Sequence, residues 1–80
     1  MKTNKQNPMV IKVSHVPALI SAIGWDRDAF LREAYYREGM SRNTALKALA
    51  GDTDLSIQTV EACMRLFRKD FCEVMEVRIS

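Results

Sequence analysis

The sequence predicts a mostly α-helical fold of five helices, with a short two-stranded β-ribbon formed by the N- and C-terminal segments. Three observations predict this fold. The chain has 80 residues, which is enough for one domain. Apolar residues recur at helical spacing through the middle of the chain, and they alternate with polar residues near both ends. Helix-capping residues and glycines separate the helical stretches from one another.

The two alternating segments are "MVIKVS" at residues 9–14 and "EVMEVRIS" at residues 73–80. Two short strands at opposite ends of a small chain are natural pairing partners. We expect one side of each strand to be apolar: Met9, Ile11 and Val13 in the first, and Met75, Val77 and Ile79 in the second. The polar residues 1–8 are predicted to be a flexible N-terminus, which leaves residues 9–80 as a single domain. The free edges of such a ribbon favour association with a second copy of the chain.

The first two helices are predicted over residues 15–24 and from Asp26 to about Arg37. Gly24 ends the first helix, and Asp26 is a favourable N-cap for the second. Helical spacing predicts which apolar side chains face the core. They are Leu19, Ile20 and Ile23 in the first helix, and Phe30, Leu31, Ala34 and Tyr35 in the second.

The third helix is predicted to begin after the N-cap Ser41 and to end at Gly51, with small inward residues that permit close packing. The fourth begins at Ser56, and a short fifth begins at Asp70, which pairs with Glu73 as a capping box. The inward residues are Ala45, Ala48 and Leu49 in the third helix, and Ile57, Val60, Cys63, Met64, Leu66 and Phe67 in the fourth.

The turn between the second and third helices is the most informative feature. Two helices joined by three or four residues around Gly39, Met40 and Ser41 describe a helix-turn-helix. In that unit the second helix contacts DNA with its first turn while its opposite side packs on the protein. The stretch "SRNTALKALAG" meets both demands, because its first residues are polar and its later ones include small apolar residues.

The residue types of this helix match the chemistry of duplex DNA. Ser41 and Thr44 have hydroxyl groups for phosphates at a helix N-terminus that favours anions. Arg42 can bind guanine O6 and N7 as a fork, and Asn43 can pair with adenine N6 and N7. Lys47 is predicted on the solvent side farther along. Leu46 is predicted to be exposed, where it contacts either a thymine methyl group or a neighbouring side chain.

The chain resembles the small Cro and phage-repressor type (Xre-type) helix-turn-helix regulators. The resemblance lies in "EGMSRNTALKALAGD", "LSIQTVEACMRLF" and "DFCEVMEV", and it covers nearly the whole folded chain. It implies a Cro/repressor-like domain, sequence-specific binding to double-stranded DNA as a homodimer, and transcriptional repression or activation, of which we expect repression. An antitoxin of a toxin–antitoxin pair is a related possibility.

Three departures from the family pattern bear on the site. Tyr35 and Tyr36 lie nearer the turn than the family pattern expects. The usual glutamine early in the second helix is missing, so the resemblance assigns its phosphate contact to Arg32. Asp52 and Asp54 stand where related proteins often carry a lysine, so the loop either points away from DNA or weakens its binding.

Other function classes find little support in the sequence. Two cysteines and one histidine are too few for a structural zinc site, and no metal or other cofactor is expected. No nucleophile–base set or glycine-rich phosphate loop is apparent, so an enzyme is not expected. No run of eighteen apolar residues and no leader pattern is present, which predicts a cytoplasmic protein with reduced thiols and no membrane association.

The charged and aromatic residues leave two interpretations open. The formal net charge is only +2, so any affinity for DNA depends on how the charges are arranged. The second-helix arginines, Arg27, Arg32 and Arg37, either extend a basic face with Arg42 and Lys47 or pair with nearby carboxylates. Trp25 is expected to anchor a turn and at least one tyrosine to pack in the core, rather than to stack on nucleobases. The alternative function is a protein–protein adaptor or inhibitor that keeps this fold.

Overall fold

A computed structural model describes residues 10–79, which form five helices and two strands. The predicted flexible segment 1–8, together with Met9 and Ser80, lies outside the described residues. The elements are β1 (Val10–Ser14), α1 (Val16–Ala22), α2 (Arg27–Glu38), α3 (Arg42–Leu49), α4 (Ile57–Phe67), α5 (Phe71–Val74) and β2 (Met75–Ile79). The mostly helical architecture and the terminal ribbon are therefore as predicted.

The helices begin where the capping residues predict. Asp26, Ser41 and Ser56 each accept a hydrogen bond from the backbone N–H three residues later, at 2.8, 3.3 and 3.2 Å respectively. Each bond satisfies one of the first-turn N–H groups that have no partner inside the helix. In α5 the backbone N–H of Asp70 donates to the Glu73 carboxylate at 3.1 Å, which is one half of the predicted capping box.

Gly39 ends α2 in the left-handed region, with φ +64°. Its N–H donates to the carbonyl of Tyr35, and the next N–H, that of Met40, donates to Ala34. These two bonds satisfy carbonyl groups of the last turn and turn the chain sharply, so that only three residues separate α2 from α3. Glycine adopts this φ without the steric cost that a Cβ would bring.

The core lies where α2, α3 and α4 meet, and α1 and α5 close it. Phe30 of α2 and Phe67 of α4 stack with ring centroids 6.2 Å apart. Trp25 lies in the turn before α2, and its ring centroid is 6.1 Å from that of Phe67. Trp25 therefore anchors that turn as expected. The other buried core residues are Val16, Ile20, Ala34, Met40, Ala45, Ala48, Val60, Ala62, Cys63, Leu66, Val74 and Met75.

The two strands pair antiparallel, with Val10 opposite Ile79 and Ser14 opposite Met75. This register pairs the apolar side of β2 with Val10, Lys12 and Ser14 of β1, and it places Ile11 and Val13 beside Arg78 and Glu76 on the other face. One face of the ribbon therefore carries Val10 together with the apolar side of β2, and the other carries only the β1 residues Ile11 and Val13 as apolar side chains. Only the end nearest the helices is buried, at Met75, while Val10, Ile11, Val77 and Ile79 are exposed.

Several predicted core positions are wrong. Ile23 and Ile57 lie at a helix end and a helix start, where neighbouring elements do not cover them, and both are exposed. Tyr35 and Tyr36 are both exposed, although at least one was predicted in the core. Ala34 occupies the inward position of that turn of α2, and the rotation of the helix that buries it turns both tyrosines outward.

The two thiols differ in environment. Cys63 is fully buried in α4, as predicted, whereas Cys72 is exposed on α5. Burial raises the pKa of the Cys63 thiol to about 11, and the nearby Glu38 carboxylate adds to the effect. Cys63 therefore acts as a small buried apolar residue. Across residues 10–79, the helices are too short or too polar to cross a lipid bilayer.

Candidate functional site

The first turn of α3 is held by two bonds between Ser41 and Thr44. The Ser41 Oγ accepts from the Thr44 backbone N–H at 3.3 Å, and the Ser41 hydroxyl donates to Thr44 Oγ1 at 2.9 Å. The hydroxyl proton of Ser41 is thus used inside the protein. Thr44, which is partly exposed, keeps its own hydroxyl proton for an outside acceptor.

The two sides of α3 differ sharply in burial. Ala45 and Ala48 are 1% and 0% exposed against the rest of the fold, with α2 and α1 as neighbours. Arg42, Asn43 and Lys47 are exposed on the other side. Because the buried residues are small, the helix axis lies close to its neighbours. The polar side chains are therefore mounted on a rigid support and point outward.

Leu46 differs from the expectation of an exposed apolar side chain. It is partly buried, and the core cluster of the described residues does not include it. It lies between the packed side of α3 and the exposed one. Of the two roles considered for Leu46, contact with a neighbouring side chain fits its partial burial better than contact with a thymine methyl group.

The positive charges of α3 are not neutralised within residues 10–79. Arg42 and Lys47 have no carboxylate within ion-pair distance in that range, and α3 itself has no acidic residue. Most other cations there do have such a partner: Lys12, Arg32, Arg37, Arg65, Lys69 and Arg78. The exposed side of α3 is consequently a local positive surface on a chain of low net charge.

The arginines of α2 were predicted either to extend a basic face with Arg42 and Lys47 or to pair with nearby carboxylates, and Arg32 and Arg37 differ in this respect. Arg37 and Arg32 both lie near the Glu33 carboxylate, at 3.5 and 3.8 Å, so part of their charge is offset. Arg32 also lines a cleft together with Arg42. The structure therefore places Arg32 at the same cleft as Arg42, while Arg37 pairs along its own helix.

A different environment lies on the other side of the α3 start. Here a cleft of about 320 Å³ runs between the end of α2 and the start of α4, lined in part by Glu38, Ser41 and Thr44. The Glu38 carboxylate, only 14% exposed, accepts from Arg65 Nε at 2.8 Å. This bond ties the last turn of α2 to α4, and it holds the turn before α3 in place.

The acidic loop between α3 and α4 lies at the far end of α3. The backbone N–H of Asp52 donates to the carbonyl of Lys47, and its carboxylate accepts from the N–H of Asp54 at 2.7 Å. The Asp54 carboxylate lies 3.8 Å from Lys12 on β1. An eight-residue helix is roughly 12 Å long, so the loop begins about that far along α3 from the polar first turn, beside the end of the helix that carries Lys47.

The prediction from sequence did not place both Tyr35 and Tyr36 at the surface beside this site. Their rings form an edge-to-face pair, with centroids 5.2 Å apart, at the same cleft as Arg32 and Arg42. The sequence did contain a sign that one of these rings is exposed. Adjacent helix positions point about 100° apart, so two neighbouring large rings seldom face one core together. The remaining predicted site residues, from Ser41 to Lys47, lie together on α3.

Comparison with known proteins gives no further assignment: no protein family, curated protein or solved structure matches the chain. Within residues 10–79 no group of three or more His, Cys, Asp or Glu side chains is placed to hold a metal ion.

Proposed function

We propose that this chain is a sequence-specific, duplex-DNA-binding transcriptional regulator, in which α2, the turn and α3 form a helix-turn-helix. The observation that carries the proposal is the arrangement of α3. Its alanines are buried, while Arg42, Asn43 and Lys47 are exposed on a helix that only three residues separate from α2. This is the arrangement that a recognition helix needs in order to enter the major groove with its first turn.

Each exposed side chain then has a specific partner on DNA. Arg42 donates in a bidentate way to guanine, and Asn43 pairs with adenine. Thr44 donates its hydroxyl proton to a phosphate, while Ser41 supports the helix as its cap. Lys47 contacts a base or a phosphate one turn farther along. Because a protein bound to a site excludes other proteins from it, repression is the regulatory effect that we propose.

The regulator acts as a homodimer through the ribbon. Val10, Ile11, Val77 and Ile79 are exposed, and they lie on a two-stranded ribbon whose outer edges have backbone groups free to pair. The ribbon carries these apolar residues on both faces, so the helical body of the same chain cannot cover them all. A second ribbon can cover them, and dimers of this kind recognise two-fold symmetric sites.

Duplex binding is tested by selecting preferred sites from a random duplex pool and measuring the affinity for the winner by fluorescence anisotropy. We expect affinity to fall steeply with salt, because phosphate contacts release counterions. Arg42→Ala should cost about 1–3 kcal/mol and relax the preference at one base position. The matched control is Lys69→Ala, which removes a cation on the turn after α4. Failure to select any site, or indifference to Arg42→Ala, would favour the adaptor alternative.

The dimer is tested separately, by light scattering. Val77→Lys combined with Ile79→Lys should give a folded monomer, because both side chains are exposed and the buried Met75 is untouched. Ile23→Lys, which changes an exposed apolar residue at the end of α1, should leave the association state unchanged. A double variant that stays dimeric would refute the role of the ribbon.

A further inference from the structure

An open cleft of about 380 Å³ lies between the outer side of α2 and the start of α3. The side chains that form it include two arginines, two tyrosines and two apolar residues: Arg32, Arg42, Tyr35, Tyr36, Leu31 and Met40. It shares Arg42 with the exposed first turn of α3. A molecule that contacts that turn is therefore placed directly beside the cleft.

The two tyrosines of the cleft are largely exposed. Tyr35 is 61% and Tyr36 76% exposed, and neither hydroxyl has a hydrogen-bond partner within residues 10–79. Large aromatic side chains held together at the surface mark a contact site more often than single exposed ones do. Each phenol also offers a proton to an acceptor.

The charges of the cleft favour an anion. The Arg32 and Arg42 guanidinium groups are both exposed. One carboxylate also lines the cleft, that of Asp28. Asp28 lies in the first turn of α2, where the positive end of the helix offsets its charge. Glu33, which is near Arg32, reduces the positive charge but does not abolish it, since the two groups are 3.8 Å apart and solvated.

We propose that this cleft binds the sugar–phosphate backbone of DNA beside the base pairs that α3 contacts. The inference rests on the proposed function and extends its contact surface to the outer side of α2. A Tyr36 or Tyr35 hydroxyl donates to a phosphate oxygen, and Arg32 neutralises the charge. Leu31 and Met40 provide the apolar floor on which a deoxyribose packs. The cleft is too open to enclose a small ligand, whereas a duplex backbone presents successive phosphates along an open surface.

The experiment measures the affinity of the full chain for two 20-base-pair duplexes, one carrying the selected site and one of unrelated sequence, over a range of salt. Tyr36→Phe and Tyr35→Phe test the hydroxyl groups, and Tyr36→Ala tests the ring. We expect about a tenfold loss for the phenylalanine variant whose hydroxyl contacts phosphate, of similar size on both duplexes, because backbone contacts carry no base information. Arg32→Ala should lower the salt slope by about one.

The matched control is again Lys69→Ala, which should leave the salt slope unchanged. The substituted positions are all exposed, so thermal melting should show native stability in every variant: Arg32, Tyr35, Tyr36 and Arg42. If Arg42→Ala weakens binding while all the tyrosine variants and Arg32→Ala bind like the wild type, the cleft proposal is overturned and the proposed function stands. If the wild type binds neither duplex, both fail. Loss of a protein partner in the tyrosine variants, with duplex binding intact, also overturns the cleft proposal.

Discussion

The chain offers two helix caps of nearly the same geometry, and replacing each serine by alanine separates stability from function. Ser41 accepts from the Thr44 N–H at 3.3 Å and contacts the Thr44 hydroxyl at 2.9 Å. Ser56 accepts from the Thr59 N–H at 3.2 Å and contacts the Thr59 hydroxyl at 2.9 Å. The first pair begins α3, and the second begins α4. The two substitutions therefore remove bonds of the same geometry from two different helices, although Thr44 is partly exposed and Thr59 is buried.

The expected loss of stability follows from the cap itself. Replacing a serine N-cap by alanine costs roughly 1 kcal/mol. Thr44 is partly exposed, so water replaces much of the hydroxyl–hydroxyl bond that Ser41→Ala removes, and that bond adds little. Thr59 is buried, so water replaces less of the bond that Ser56→Ala removes, and this variant should lose somewhat more stability. For a domain of this size the entropy of unfolding is about 0.17 kcal/mol/K, so Ser41→Ala should melt about 6 °C lower and Ser56→Ala should melt lower by at least that amount. Thermal unfolding followed by circular dichroism measures this shift.

Duplex affinity should distinguish the two variants. At a temperature where both are folded, Ser41→Ala lets the first turn of α3 fray, and that turn must re-form to hold Arg42 in place. A penalty of about 1 kcal/mol corresponds to roughly fivefold weaker binding. Ser56→Ala should bind like the wild type. Equal weakening by both variants would refute a special role for the α3 start, and unchanged melting temperatures would refute the cap energetics.

Three further predictions concern stability. Ala48→Leu should lower the free energy of unfolding by about 1–3 kcal/mol, because the position is fully buried and cannot take a larger side chain without displacing α3. Urea unfolding measures this loss, and Ala50→Leu, at an exposed position, is the control. Gly39→Ala should lower the free energy of unfolding by about 1 kcal/mol. The cause is backbone strain at φ +64°, because a Cβ there would meet no atom within 4 Å. Gly39→Asn should cost less, because asparagine adopts the left-handed conformation more readily than alanine. Hydrogen bonds from Arg78 and His15 lower the pKa of Glu76 from 4.5 to about 2, so its stabilising effect is complete above pH 4.5 and is lost as pH falls towards 2. Glu76→Gln should remove that part of the acid sensitivity of the urea midpoint.

Each of these predictions can fail in a distinct way. An Ala48→Leu variant as stable as Ala50→Leu would mean that α3 does not pack closely. Equal losses for the alanine and asparagine variants of Gly39 would argue against backbone strain as the cause. The control for Glu76 is Glu61→Gln, an exposed α4 carboxylate with no ion pair within residues 10–79. If it flattens the pH dependence as much, the bonds to Glu76 contribute nothing specific.

The candidate site shows which features could be predicted from sequence. Ser41 as a cap and Ala45 and Ala48 as the inward side of α3 were predicted correctly, because each depends on residues within one helical turn. The outward side of α3 followed from the same periodicity. By contrast, the cleft joins Arg42 to Tyr35, seven residues earlier on another helix. Its existence depends on how α2 is rotated against α3.

The sequence alone determined where α2, α3 and α4 begin and that Gly39 ends α2, because a cap or a left-handed glycine acts through bonds to its immediate neighbours. The tertiary structure decided which residues those helices expose. Burial of Ala34 turned both tyrosines outward, and Arg65 reached Glu38 across 27 positions of the chain. The tertiary structure also decided the register in which β1 and β2 pair. A shift of one residue exchanges the two faces of a strand, and strands more than 60 residues apart have no short turn to set their register, so packing against the helices sets it.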